Sequence, residues 1–336
     1  MIDRYYYYLL DNDSRILYDR IIDGIKHRCA DISCKGLAVN ASDVPAITNA
    51  VEYDNPELFY VDFAKFGFHH SYNSGNIDSV SIKYLYTVED TFSLQAIADM
   101  SCKKIISKAE LVGCTDLQKV WRLHDFLIDN VEYFHESLTR PGTFEWYRAK
   151  SILGMLLDKK AICSGISRAF KYILNQIGIR SIVVAGTAID ENNNMDGHEW
   201  NIVSIAGKSY HIDMTWDITE STQKRRSYNY FNLNDKLIFK DHFTDSILPK
   251  CCYDDDNFFV RNLAVISSKK ALRKYLRNGF PRFYGDYYYR VDCSCDLKEV
   301  VDQIEKYIIE QSNRSLTWET IINERQKIIR IMVNNG

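Results

Sequence analysis

The run Lys160-Ala161-Ile162-Cys163-Ser164-Gly165-Ile166-Ser167-Arg168-Ala169-Phe170 opens a segment in which Ile166, Ala169, Phe170, Ile173, Leu174 and Ile177 recur at three- and four-residue intervals. That period places them on one face of a helix, and Gly178 is a good residue to end it. Cys163 then falls at the helix head, where unpaired N–H groups and the positive end of the helix dipole lie beside its sulfur. A thiol is a strong nucleophile only as thiolate, and with a free pKa of about 8.5 few thiols ionise at neutral pH unaided. The position therefore favours activation. The small side chains of Ser164 and Gly165 leave room for a substrate carbonyl, and the Cys163 N–H is a natural oxyanion donor.

A base has to come from elsewhere in the chain. After the helix come a β-rich run over 181–189, a polar loop over 190–197 and a hairpin. The first hairpin strand is expected over 199–205 and the second over 209–217, with a turn at Ala206-Gly207-Lys208. In that register His198 faces Thr215 and Trp200 faces Asp213, so His198 and Asp213 are diagonal neighbours on one face. An imidazole and a carboxylate so placed can share a hydrogen bond that fixes the tautomer and supports an imidazolium. Cysteine, then histidine, then aspartate supplies a nucleophile, a base and an orienting group.

Three stretches resemble the motifs of the transglutaminase-like superfamily. They are the Cys163 run quoted above, Gly197-His198-Glu199-Trp200-Asn201-Ile202-Val203, and Tyr210-His211-Ile212-Asp213-Met214-Thr215-Trp216-Asp217. The likeness spans about 115–245 and extends weakly to Asp54-Asn55-Pro56-Glu57-Leu58-Phe59-Tyr60. It implies an α+β fold with a papain-like core: a helix bearing Cys163 packed on an antiparallel sheet bearing His198 and Asp213. It also implies a cysteine peptidase or acyltransferase with those three residues as the catalytic triad. Relatives often carry an aromatic residue just upstream that helps the oxyanion site. Here that neighbourhood reads Ser151-Ile152-Leu153-Gly154, so Trp146 and Tyr147 are the aromatic residues at hand. Ser164, Trp146 and Trp200 are the expected oxyanion or cleft-lining residues.

Around this centre the chain reads as a transglutaminase-like catalytic core over 113–248, an N-terminal α/β region over 1–112 and a small C-terminal α/β region over 249–336. A helix is expected over 115–131, capped by Thr115, with Leu117, Val120, Trp121, His124, Leu127, Ile128 and Val131 on one face. His124 within that apolar stripe reads as a core histidine with a local hydrogen bond. Strands are expected over 57–63, after the Asp54-Asn55-Pro56 turn, and over 81–88. Helices are expected at 15–29, 90–111, 269–277 and 296–311, and strands at 284–291, 316–322 and 327–333. His69-His70 reads as loop, and Asp254-Asp255-Asp256 as a solvated acidic turn rather than a calcium loop.

The chain has 336 residues, 46% hydrophobic and 26% charged, with a net charge of -3, which gives no electrostatic reason to expect nucleic acid or an anionic membrane as partner. Its 23 tyrosines include Tyr5-Tyr6-Tyr7-Tyr8 and Tyr287-Tyr288-Tyr289, runs that suit half-buried strands or interfaces. Nothing reaches the roughly 20 apolar residues of a membrane span, and Met1-Ile2-Asp3-Arg4 lacks a signal-peptide pattern. Nine cysteines without a C-x-x-C pair give no zinc or disulfide framework, which fits a reducing cytoplasm. No cofactor or metal is expected. The expected function is a cysteine-dependent acyl-transfer enzyme acting on peptide or protein amides, hydrolytic first. A transamidating crosslinker or amide synthase is the alternative, and a non-catalytic scaffold on the same core is a third reading.

Overall fold

The computed structural model describes residues 4–70, 75–222, 225–278, 285–311 and 316–335. Met1-Ile2-Asp3 of the N-terminal reading lies outside them. The described chain is a mixture of helices and sheets in two compact units. One comprises 1–185 and 198–227, the other 186–197 and 228–336.

In the first unit, helix α1 (Asn12–Lys26) is capped by Asp11, whose side chain accepts from Ser14 N. It buries Leu17, Tyr18, Ile21 and Ile25 in a cluster with Ile47, Ala50 and Val51 of helix α2 (Val44–Asp54). The same cluster takes Ile32 and Val80 from a three-stranded antiparallel sheet of β1 (Asp31–Ser33), β2 (Gly67–His70) and β3 (Ile77–Ser81), with β3 central. His69 is thus on a strand edge and not in a loop.

The 57–63 stretch is not a strand. Successive tight turns (Leu58 N to Asn55 O, 3.1 Å; Val61 N to Leu58 O, 3.0 Å) coil it into the 3-10 turn Phe63–Lys65. Leu58, Phe59 and Val61 are nevertheless buried, so their apolar character reflects packing and not extension. Likewise the strand expected over 81–88 ends at Ser81, and Thr87 instead caps helix α3 (Val88–Lys108) by accepting from Asp90 N.

Helix α4 (Asp116–Asn130) begins with a capping box: Thr115 accepts from Gln118 N while Gln118 reaches back to Thr115 N. Helix α5 (Cys163–Gln176) starts at the cysteine and is followed by Gly178 at φ 78°. The main sheet has β4 (Ser181–Ile189), β5 (Met195–Ile205) and β6 (Lys208–Ile212), with β5 hydrogen-bonded between the other two. Ala206 and Gly207, at φ 49° and 82°, form the two-residue turn that tight hairpins favour. That turn sets Asn201 opposite Ile212, Val203 opposite Tyr210 and Ile205 opposite Lys208, the register read from the sequence.

The second strand stops earlier than expected. At Asp213 the chain leaves the ladder and enters helix α6 (Met214–Thr219), so Thr215 and Trp216 are helical. Asp213 is the helix N-cap, and its side chain accepts from Thr215 N and Trp216 N. A capping carboxylate has outcompeted strand alternation.

In the second unit, β7 (His242–Phe243) pairs antiparallel with Thr187 and Ala188 of β4. There follow β8 (Val265–Ile266), α7 (Lys269–Asn278), β9 (Gly285–Val291), α8 (Leu297–Gln311), β10 (Leu316–Asn323) and β11 (Ile328–Asn335), close to the expected bounds. The sheet order is β8-β9-β11-β10. Ile266, Tyr287, Val291, Val300, Ile304, Ile329 and Ile331 share its core. Asp256 of the acidic turn is buried and paired with Arg261 at 2.8 Å, so only part of that turn is solvated. Among the described residues no helix is long and apolar enough to cross a membrane.

Candidate active site

Cys163 is the first residue of α5, and the preceding cap residue, Ile162, has no side-chain acceptor for the first-turn N–H groups. Close packing of the chain behind this turn requires Gly165. A Cβ there would stand 2.1 Å from Ala149 O and 3.0 Å from Ser151 O. The 149–151 backbone therefore rests directly against the helix head.

His198, on β5, is buried, and its Nε2 lies 2.7 Å from Asp213 Oδ2. Cys163 is near enough to act on the charge of the same ring. With Nε2 engaged by the carboxylate, Nδ1 is the nitrogen left for the sulfur. Burial alone would lower the His198 pKa, but Asp213 and Cys163 outweigh it and raise the pKa to about 10. The arrangement thus favours an imidazolium beside the Asp213 carboxylate.

Aromatic side chains fix the ring. Trp200 lies near-parallel to His198 (6.3 Å between centroids, 17°), and Trp216 packs at 5.5 Å and 42°. Trp200 is fully buried, and its Nε1 donates to His211 Nδ1 at 3.1 Å. His211 therefore touches the site through Trp200. Ser164 is also buried, with no hydrogen-bond partner for its Oγ among the described residues. Trp146 sits on the short helix Phe144–Ala149, half-buried, with Lys150 Nζ 4.3 Å from its ring.

Two groups of residues escaped the sequence reading. His124, as expected, is a core histidine with a local partner, Asp125 Oδ1 at 3.4 Å from Nδ1, but its shorter bond is distant: Nε2 lies 2.9 Å from Asp217 Oδ2, both side chains being fully buried. Asp217 Oδ1 accepts from Ser227 Oγ. The other group joins Arg168 to Glu52 and Glu199 at 2.6 and 2.9 Å. Opposite charges one residue from His198 and five from Cys163 were the available cue.

Residues 108–214 match the transglutaminase-like superfamily model. This transglutaminase-like segment runs through Cys163, His198 and Asp213. Among the solved structures that resemble the chain, two are matched at low identity. A TGase crystal structure is 17% identical, with 48% of this chain and 46% of that chain covered and a TM-score of 0.34. A candidate cysteine protease from Cytophaga hutchinsonii is 13% identical, with 45% and 62% covered and a TM-score of 0.27. The match spans less than two thirds of either protein's length. No curated protein matches the chain.

Proposed function

We propose that this protein is a cysteine-dependent acyl-transfer enzyme, with Cys163 as nucleophile, His198 as acid and base, and Asp213 as the group that orients His198. The observation that carries the reading is His198 bonded to Asp213 at 2.7 Å through one nitrogen, with Cys163 among the groups that raise the pKa of the same ring. A cysteine-headed helix tied to a histidine-bearing strand is the arrangement expected of a papain-like core. The match of residues 108–214 to the transglutaminase-like superfamily supports a cysteine enzyme.

The Cys163 thiolate adds to the carbonyl carbon of a peptide or glutamine-type amide. The oxyanion forms beside the N–H groups at the head of α5. The His198 imidazolium gives its proton to the departing amine, and a thioester remains. Water, deprotonated by His198, then attacks the thioester to release the acid and restore the Cys163 thiolate beside the His198 imidazolium. An amine in place of water closes the same cycle as a new amide.

The test is incubation with a glutamine-containing peptide library, with and without a primary amine, followed by mass spectrometry. Free acid identifies a hydrolase, and amine-joined product a transamidase. Cys163→Ala and His198→Ala should each abolish turnover. Full turnover by either variant overturns the assignment.

A further inference from the structure

Arg168 lies one and a half turns along α5 from Cys163 and is largely enclosed, its side chain 11% exposed. Its Nη1 donates to Glu52 Oε1 at 2.6 Å. On the other side Nη2 and Nε meet the two oxygens of Glu199 at 2.9 and 3.3 Å, a forked contact. Glu199 directly follows His198 in β5. The backbone is tied at the same place: Ser167 Oγ donates to Glu199 O at 2.8 Å, and Asn201 Nδ2 donates to Ser167 O at 3.0 Å. These contacts staple the cysteine helix to the histidine strand.

The third corner of this cluster belongs to α2. Asp54, at the end of that helix, accepts from Tyr6 N and Tyr7 N at 3.1 and 2.9 Å, which ties Glu52's helix to the N-terminal segment. Packing does not hold Arg168 on every side. Arg168 and Glu52 border a cavity of about 40 Å³ that Asp62, Tyr147 and Ser151 also line. A guanidinium with space beside it needs a partner to stay in one rotamer. Burial lowers its pKa, but Glu199 and Glu52 more than reverse this, so it stays charged.

We propose that Arg168 is a positioning residue that sets the His198 backbone against the head of α5, and that Glu52 is the tether holding Arg168 in place. This rests on the reading of Cys163 and His198 as the reactive pair. It gives the N-terminal region a part in the chemistry without contact with substrate. Lysine cannot reproduce the fork, because its ammonium is a point donor.

The experiment measures the rate of Cys163 alkylation by iodoacetamide against pH, together with kcat and KM, for wild type, Arg168→Gln, Arg168→Lys and Glu52→Gln. Displacing the imidazole by a fraction of an ångström should lower kcat and alkylation at pH 6 by about tenfold to a hundredfold in Arg168→Gln, with KM within about twofold. Arg168→Lys should recover part of the loss. Glu52→Gln, the mildest change, should lose less than Arg168→Gln and keeps the test open if Arg168→Gln does not fold. A folded Arg168→Gln or Glu52→Gln with the wild-type pH profile and kcat overturns the proposal. His198→Ala is the separating control. If wild-type alkylation at pH 6 does not depend on His198, the catalytic reading itself fails. If it does and the Arg168 and Glu52 variants behave as wild type, only the positioning role fails.

Discussion

Asp213 divides its carboxylate between two tasks: Oδ2 holds His198 Nε2 at 2.7 Å, while Oδ1 accepts from Thr215 N at 2.9 Å and Trp216 N at 3.3 Å. One side chain thus starts the helix that carries Trp216 and orients the imidazole that Trp216 packs against. The two tasks separate by substitution. Asp213→Asn keeps an oxygen for the cap, so its stability should fall less than that of Asp213→Ala, which loses the cap at about 0.5–2 kcal/mol. Both should lose most of kcat/KM, since neither presents a carboxylate to His198. Urea melts and kinetics on the two variants check this. Equal stability loss in both would refute the capping role.

The His124–Asp217 pair should be a stability determinant. Both side chains are fully buried at 2.9 Å, and Asp217 lies on the helix that Asp213 caps. His124→Ala strands a carboxylate in the core and should cost about 3–5 kcal/mol, as for other broken buried pairs. Replacing both partners with apolar residues should cost less. Burial lowers the His124 pKa, but Asp125 and Asp217 more than reverse it. The pair's contribution is therefore complete below the unfolded histidine value of about 6.5 and is lost as pH rises through the folded value. The difference in unfolding free energy between wild type and the double variant, followed against pH, should shrink on the alkaline side. A constant difference would count against a charged His124.

Local rules made much of this visible in the sequence. Thr115 and Gln118 announce the start of α4, and Ala206-Gly207 fixes a register that runs out to Asn201 opposite Ile212. Where the reading failed, one local preference had overruled another. Ile212, Met214 and Trp216 alternate as a strand would, yet the Asp213 side chain satisfies two backbone N–H groups and turns the chain into a helix. The apolar 57–63 stretch is buried through consecutive turns, which periodicity cannot distinguish from a strand. The Glu52–Arg168–Glu199 cluster was hard to pair for a different reason, although charges beside His198 and Cys163 were visible. Its members lie far apart in the chain, and no local pattern specifies which arginine meets which carboxylate.

Gly165→Ala should disturb the cysteine without touching it. The added methyl would meet Ala149 O at 2.1 Å, a backbone atom that cannot swing aside. Relief requires the helix head or the 149–151 segment to move, at about 1–3 kcal/mol for overpacking of this kind. The urea midpoint should drop, and Cys163 alkylation at pH 6 should slow because sulfur and imidazole no longer align. Wild-type stability together with wild-type alkylation would mean that the close approach is dispensable.

The alkaline limit of activity should belong to His198. Its pKa is raised to about 10: burial lowers it, and Asp213 first, then Cys163, reverse this. In the proposed mechanism the protonated ring delivers the proton to the departing amine, so kcat/KM for an amide should hold through neutral pH and fall as the pH passes about 10. The same sign governs stability. The ion pair's contribution is whole below the unfolded histidine value of about 6.5 and disappears as pH rises through the folded value. Asp213→Asn removes the strongest of the raising influences and should draw the alkaline limb toward neutrality, most clearly on an activated ester that is still turned over at a measurable rate. If the limb stays where it is in wild type, something other than the Asp213 carboxylate keeps the imidazole charged.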